Sequence, residues 1–318
     1  MRQYILRRLL LMIPVLLGTT VLIFATIRIV PGDVLMSQFS EAQTGTLTPQ
    51  MRELLLHELG LDVPVHEQYL TWLGGLVRGD LGNSLTSRNP VGPELARRVP
   101  VSAELAVFAV LFAVLFGITS GVISALRQDS WVDHVARLVS IVWLSVPSFV
   151  VAILIVMLPA IWFRYAPPLS FVSLFDDPAK NLQKYLPAAI ALGAVLSGSI
   201  TRMTRSSMLE VLRDDYIRTA RAKGLQERLV VTRHALKNGL VPVLTLIGDQ
   251  FAHLLGGTVI VETVFNLPGL GTMAVRALHD RDYTTIQAVT LFYAAVFIMV
   301  NLAVDLAYAW LNPRIRYA

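Results

Sequence analysis

Side chains able to do chemistry are few in this sequence, and the most conspicuous lie where charge is costly. Asp249, Gln250 and His253 fall within the apolar run LVPVLTLIGDQFAHLLGGTVIV. Asp249 is near its middle, and His253 follows one turn later on the same helical face. Such groups could relay protons, line or border the path of a polar solute, or hydrogen-bond two helices together. A second concentration of charge lies just upstream, where nine basic residues between Arg202 and Lys237 face only Glu210, Asp214, Asp215 and Glu227. Its centre reads DYIRTARAKGL, which holds no nucleophile paired with a base and no metal-ligand spacing. Cysteine is absent, which excludes disulfides, thiolate catalysis and Cys-based metal sites. There is no Gly-Lys dipeptide, hence no phosphate-cradling G-x-x-x-x-G-K-[ST], and neither H-E-x-x-H nor G-x-S-x-G occurs. The chain therefore reads as no enzyme, with no cofactor or metal of its own. If ATP drives its work, a different chain hydrolyses it.

The elements that position these groups follow from composition. Of 318 residues 54% are hydrophobic and 15% charged, and the mean hydropathy is +0.60. Soluble chains carry about 25% charged residues, so this is a membrane protein. The isoelectric point near 9.6 does not indicate nucleic acid, because the basic residues cluster between apolar runs instead of covering a soluble face. The N-terminus MRQYILRRLLLMIPVLLGTTVLIFATIRIV has a basic start and an apolar run over residues 9–30. That run exceeds the hydrophobic region of a secretory signal, so a retained first span is expected, with Arg28 snorkelling at its far end. Five further runs, near 101–126, 136–163, 186–204, 240–262 and 286–311, are long enough to cross a bilayer. An all-α integral membrane protein with six transmembrane helices is expected.

An even number of spans puts both termini on one side. Arg2, Arg7, Arg8, Arg127, the basic connection, Arg314 and Arg316 fall on that side, whereas residues 31–100 carry five basic residues against eight acidic ones. The excess of Lys and Arg makes the termini cytoplasmic. The organisation is then residues 1–100, a first span plus a long extracytoplasmic segment, and residues 101–318, a five-helix core whose cytoplasmic loop occupies about 205–240. In the outer segment, Val65, Tyr69, Trp72, Leu73, Leu76 and Val77 share one helical face, which should lie at the interface or against the spans. Gly117 precedes Gly121 by one turn, a spacing that lets helix backbones approach.

Within the basic loop, Asp214 and Asp215 are suited to start a helix and Gly224 to end it at positive φ. Tyr216, Ile217, Ala220 and Gly224 form a smooth apolar strip flanked by Arg218, Arg221 and Lys223. QERLVVTRHALKN supplies a second helix, closed by Gly239 and followed by Pro242. The pair makes a helical hairpin outside the bilayer, and its capped, smooth-faced first helix suits docking to a cytoplasmic partner.

The string DDYIRTARAKGL…RHALKNGLVP resembles the cytoplasmic coupling loop of ABC-importer permeases in the dipeptide/oligopeptide permease family. The name-giving Glu-Ala-Ala of that loop is Arg218-Thr219-Ala220 here, and His234 stands at a position that is generally apolar. The resemblance extends through RRLLLMIPVLLGTTVLIFATIRIVPGD, LGLDVPVHEQYLTWLGGLVRGDLGNSL, SVPSFV and VIVETVFNLPGLGTMAVRALHDRDY, and so over essentially the whole chain, to the first of the two permease subunits. It implies a type I ABC-importer permease fold in the bacterial cytoplasmic (inner) membrane. It also implies a second homologous permease, one or two cytoplasmic ATP-binding subunits that hold ATP and magnesium, and an extracytoplasmic solute-binding protein. On the same ground Asp215, Tyr216, Ile217, Arg218, Ala220, Arg221, Ala222, Lys223 and Gly224 form a helix seated in a groove of the ATPase. The loop VETVFNLPGLGTMAVRALHDRDY, residues 261–283, is implied as an outer gate region where the binding protein docks, although His279 and the acids beside it read as plain surface charge. The alternative, a proton-coupled carrier using Asp249 and His253, would leave the capped basic helix without a purpose.

Overall fold

The computed structural model describes residues 2–29, 50, 53, 57, 62–165, 168 and 172–311. Every regular element among them is helical. In chain order the main helices are α1 (Arg2–Ile29), α2 (Val65–Val77), α3 (Val91–Leu126), α4 (Trp131–Ser145) and α5 (Ser148–Phe163). They continue with α6 (Pro178–Leu212), α7 (Asp215–Ala222), α8 (Val241–Val264), α9 (Leu270–His279) and α10 (Tyr283–Leu311). The chain divides into two compact units, Met1–Val101 with Gly269–Ile298, and Ser102–Pro268 with Met299–Ala318.

In the first unit, α2 packs on α1 through the face expected to be apolar. Phe24 meets the Tyr69 ring edge-on at 5.2 Å and stacks on Trp72 at 5.8 Å, while the Tyr69 hydroxyl bonds Thr20 Oγ1 at 2.9 Å. Val65 and Val77, placed on the same face by periodicity, are exposed at the two ends. The turn between α9 and α10 is locked by Asp282, which is buried, not a surface charge as the sequence suggested. Its carboxylate caps α10 by accepting from the backbone N–H and hydroxyl of Thr285 at 3.2 and 2.7 Å. It also accepts from Ser84 Oγ at 2.5 Å and the Leu85 N–H at 3.0 Å, so one side chain ties the 84–85 loop to the corner of two helices. The local sequence HDRDY offers four polar side chains at the helix start; only the partner loop, about two hundred residues away, decides which is buried.

The second unit is organised around α6, and its helices approach where side chains are smallest. A Cβ added to Gly117 would lie 2.7 Å from Ile200, and one added to Gly121 would lie 2.6 Å from Thr204 Cβ and 2.7 Å from the Thr201 carbonyl oxygen. The spacing read from the sequence thus packs α3 on α6. Gly198 does the same for α4, where a Cβ would come within 2.7 Å of the Ser140 carbonyl. Between helices that share an apolar solvent, this close contact supplies the attraction that hydrophobic exclusion would provide in water.

The run expected as one span over 136–163 is broken. Helices α4 and α5 meet at an angle of 104° around Val146 and Pro147. Val146 is extended (φ −91°, ψ 122°), as expected for a residue whose helical conformation clashes with a following proline ring, and Pro147 caps α5. Hydropathy averages over such a break, so the sequence reading missed it. Among the described residues, Val91–Leu126, Pro178–Leu212 and Tyr283–Ala303 are each long and apolar enough to cross a membrane, and the bent α4–α5 pair qualifies jointly. Shorter apolar stretches are Leu10–Thr26 in α1 and Val241–Phe251 in α8.

Candidate functional site

Helix α7 begins at Asp214 and ends in a Schellman arrangement. Asp214 occupies the N-cap position without a side-chain hydrogen bond, contrary to the capping expected of it. At the other end Gly224 takes φ +74°, its N–H bonds the Arg221 carbonyl at 2.9 Å, and the Leu225 N–H reaches back to the Ala220 carbonyl at 3.4 Å. No atom lies within 4 Å of a Cβ built on Gly224, so only backbone conformation restricts this position. Gly224→Asn should leave the hairpin intact, because asparagine tolerates the left-handed region. Gly224→Val should cost about 1–2 kcal/mol and speed limited proteolysis between 213 and 226. Equal cleavage of the two variants would contradict this role.

The middle of the apolar strip of α7 faces inward, while Tyr216 and Gly224 at its edges are exposed. Ile217 is 0% exposed and Ala220 is 7% exposed, and they form a buried cluster with Ala125 at the end of α3, Met208 of α6, and Val230, Val231 and Ala235. Leu225, two places after the cap, joins the same cluster. Ile217 and Ala220 thus seat α7 on its own chain, which leaves contact with another molecule to the exposed residues of the helix. The surface α7 offers to another molecule is the opposite stripe at i, i+3, i+4 and i+7, namely Asp215, Arg218, Thr219 and Ala222, all exposed. Arg218 pairs with Asp215 at 3.1 Å there, and Lys223 and Gly224 are exposed at its end.

The second arm of the hairpin is not a plain helix. It opens as Glu227–Leu229, widens into a π turn over Val230–Ala235 and closes as Leu236–Gly239. The wider turn shifts carbonyls out of register, and Tyr216 meets them: its hydroxyl donates to the His234 carbonyl at 3.4 Å and accepts from Asn238 Nδ2 at 2.8 Å. Arg221 clips the two arms together by donating to both carboxylate oxygens of Glu227, at 3.1 and 2.7 Å. That pairing lowers the Glu227 carboxyl below its ordinary range. Gly239 ends this arm, as expected, and is buried against α6, where a Cβ would lie 2.8 Å from Met208 Sδ. The hairpin is thus seated on the ends of α3 and α6, and all nine residues expected at this site lie together in it.

Directly beyond this seat is an ion pair that the sequence reading did not find. Asp133, in the first turn of α4, is fully buried, and its two oxygens accept from Arg205 Nε at 2.7 Å and a terminal guanidinium nitrogen at 2.8 Å. Ser124 Oγ donates to the same carboxylate at 2.5 Å, and the Asp129 N–H does so at 3.0 Å. Arg205 had been counted only as one of the basic cluster. A signal was present in the string Ser130-Trp-Val-Asp133, whose Ser130 accepts from the Asp133 N–H, but nothing local names Arg205 as partner.

The proposed pathway residues sit on α8, apart from this hairpin in sequence. Asp249 is exposed and Gln250 half-buried, while the side chain of His253, like that of Arg28, lies outside the described residues.

Comparison with known proteins places this geometry in context. Residues 95–317 match the model of the binding-protein-dependent transport system inner membrane component, and residues 1–106 match the N-terminal model of the same kind of membrane component. The chain is 42% identical to the di/tripeptide transport system permease protein DppB of Pseudomonas aeruginosa, covering 100% of this chain and 99% of that protein. It is 41% identical to the dipeptide transport system permease protein DppB of Escherichia coli K12, with the same coverage. A glutathione transport system permease protein, GsiC of Escherichia coli O6:H1, is 38% identical over 100% of both. Among solved structures, the inward-facing methionine ABC transporter MetNI superposes with a TM-score of 0.56 at 15% identity, covering 69% of this chain and 96% of that one. An amino acid ABC transporter gives 0.54 at 16% identity, over 69% and 94%. These two likenesses are of fold.

Proposed function

Because the chain belongs to the family of binding-protein-dependent transport system inner membrane components, we propose that it forms half of the pathway by which an ATP-driven importer moves short peptides into the cell. The observation that carries this reading is full-length similarity to two dipeptide-type permeases at 41–42% identity. Glutathione is itself a small peptide, so the third relative points to the same solute class. In this reading the chain crosses the inner membrane six times with both termini in the cytoplasm, α1 and α8 supplying spans beside the longer apolar helices. It pairs with a second, homologous permease. An extracytoplasmic binding protein delivers the solute, and cytoplasmic subunits bind ATP and magnesium.

Helix α7 is the contact with those subunits. Its buried face fixes it to α3 and α6, and its polar stripe is open, so a push on the stripe is passed to two long helices without an intervening loose joint. Asp249, Gln250 and His253 border the solute path in this scheme. Nothing in the relatives supports the proton-coupled carrier. The test is reconstitution in vesicles: uptake of a labelled dipeptide should require the second permease, the ATPase subunits, the binding protein and ATP together. Uptake by this chain alone, driven by a proton gradient, would overturn the assignment.

A further inference from the structure

We propose that Asp133 and Arg205 form a positioning clamp that makes α4 move with the seat of α7, so that work done on the cytoplasmic hairpin reaches the bent α4–α5 pair. This rests on the reading of α7 as the contact for the ATPase.

Three elements meet at one buried carboxylate. Arg205 comes from α6, Ser124 from the end of α3, and the Asp129 N–H from the turn that leads into α4. The first two are next to the seat of α7. Ser124 immediately precedes Ala125, and Arg205 lies three residues, just under one turn, before Met208, both of which pack in the cluster that holds Ile217 and Ala220. Asp129 is held at φ +61°, an uncommon conformation for a residue with a side chain, and its N–H is spent on Asp133. The carboxylate thus accepts four hydrogen bonds, two of them from one guanidinium in a fork that fixes angle as well as distance. Elsewhere α4 meets α6 by close approach, as where Gly198 lies against the Ser140 carbonyl, a contact that carries no charge-assisted hydrogen bond. The fork is the directional link. Because α5 turns away from α4 by 104°, α4 is a short lever, and a clamp at its first turn sets where the lever is held.

The experiment uses the assembled transporter with its ATPase subunits and binding protein. Arg205→Lys keeps the charge but loses the fork, and should raise the number of ATP molecules hydrolysed per peptide imported about fivefold, with ATPase association unchanged. The chain has no cysteine, so an Asp133→Cys/Arg205→Cys pair can be bridged by a short bismaleimide in cysteine-free partners. Unbridged, the pair should hydrolyse ATP with little import; bridging should restore import. Failure of bridging to restore it, or hydrolysis and import falling in parallel in Arg205→Lys, would overturn the clamp. Absence of ATPase binding by the unaltered chain would instead overturn the reading of α7, so the two fail separately.

Discussion

Ile217→Asp will abolish peptide import while leaving the chain in the membrane. Ile217 is completely buried in the seat of α7. Truncating such a side chain costs about 2–5 kcal/mol, and an unpaired carboxylate in its place costs more unless the helix lets go. Letting go is the cheaper outcome. At 8 residues the free helix cannot hold itself, because nucleation is unfavourable and isolated helices shorter than about 12–15 residues are marginal. The variant therefore loses the fold of the hairpin rather than of the bundle. Membrane levels should stay near normal, co-purification of the ATPase subunits should disappear, and import should drop by about a hundredfold or more. Arg218→Ala, on the exposed stripe, should leave the hairpin folded and weaken association by a smaller amount. Near-normal import by Ile217→Asp would show that α7 does not need its seat.

Gly121→Leu will prevent the bundle from forming. The Cβ alone would fall 2.7 Å from the Thr201 carbonyl oxygen and 2.6 Å from Thr204 Cβ. One of those contacts is backbone, so no rotamer change relieves it, and α3 must back away from α6. Extra methylenes in a well-packed core cost about 1–3 kcal/mol, and here several atoms enter a gap that does not hold the first. In a bilayer the separated helices lose their close packing without a compensating hydrophobic pull. The expected result is at least about a tenfold loss of monodisperse protein after detergent extraction. Gly92→Leu is the matched control, since a Cβ there meets nothing within 4 Å in the same helix; equal yields from the two variants would contradict the packing argument.

What could be read from the sequence was whatever is local. The helix around DYIRTARAKGL and the left-handed Gly224 follow from residue types within one turn and stand in the structure, although the side-chain cap expected of Asp214 does not form. The Gly117–Gly121 spacing was equally legible as a contact, although not its partner Ile200 or Thr204 on α6. The apolar strip of α7 was visible too, but periodicity says only that a face is covered, not by which chain. Pro147 was in plain view, yet a hydropathy window cannot report that the chain turns through 104° there. The Asp133–Arg205 pair spans 72 residues, and the Ser84–Asp282 bond spans 198. Links of that length join groups whose own neighbourhoods carry no trace of each other.

The most direct measurement is cross-linking from the open stripe of α7. The chain lacks cysteine, and Thr219 is exposed with its hydroxyl bonded to its own helix, at the Asp215 carbonyl. Thr219→Cys should support import and, on treatment with a short bifunctional reagent, should join the permease to an ATPase subunit carrying a single cysteine in its permease-facing groove. A product that forms in membranes of the active transporter and fails to form with Ile217→Asp in the same chain is the expected result. Full ATP-driven import with no such product from any position on the stripe would contradict the claim that α7 is where the motor takes hold.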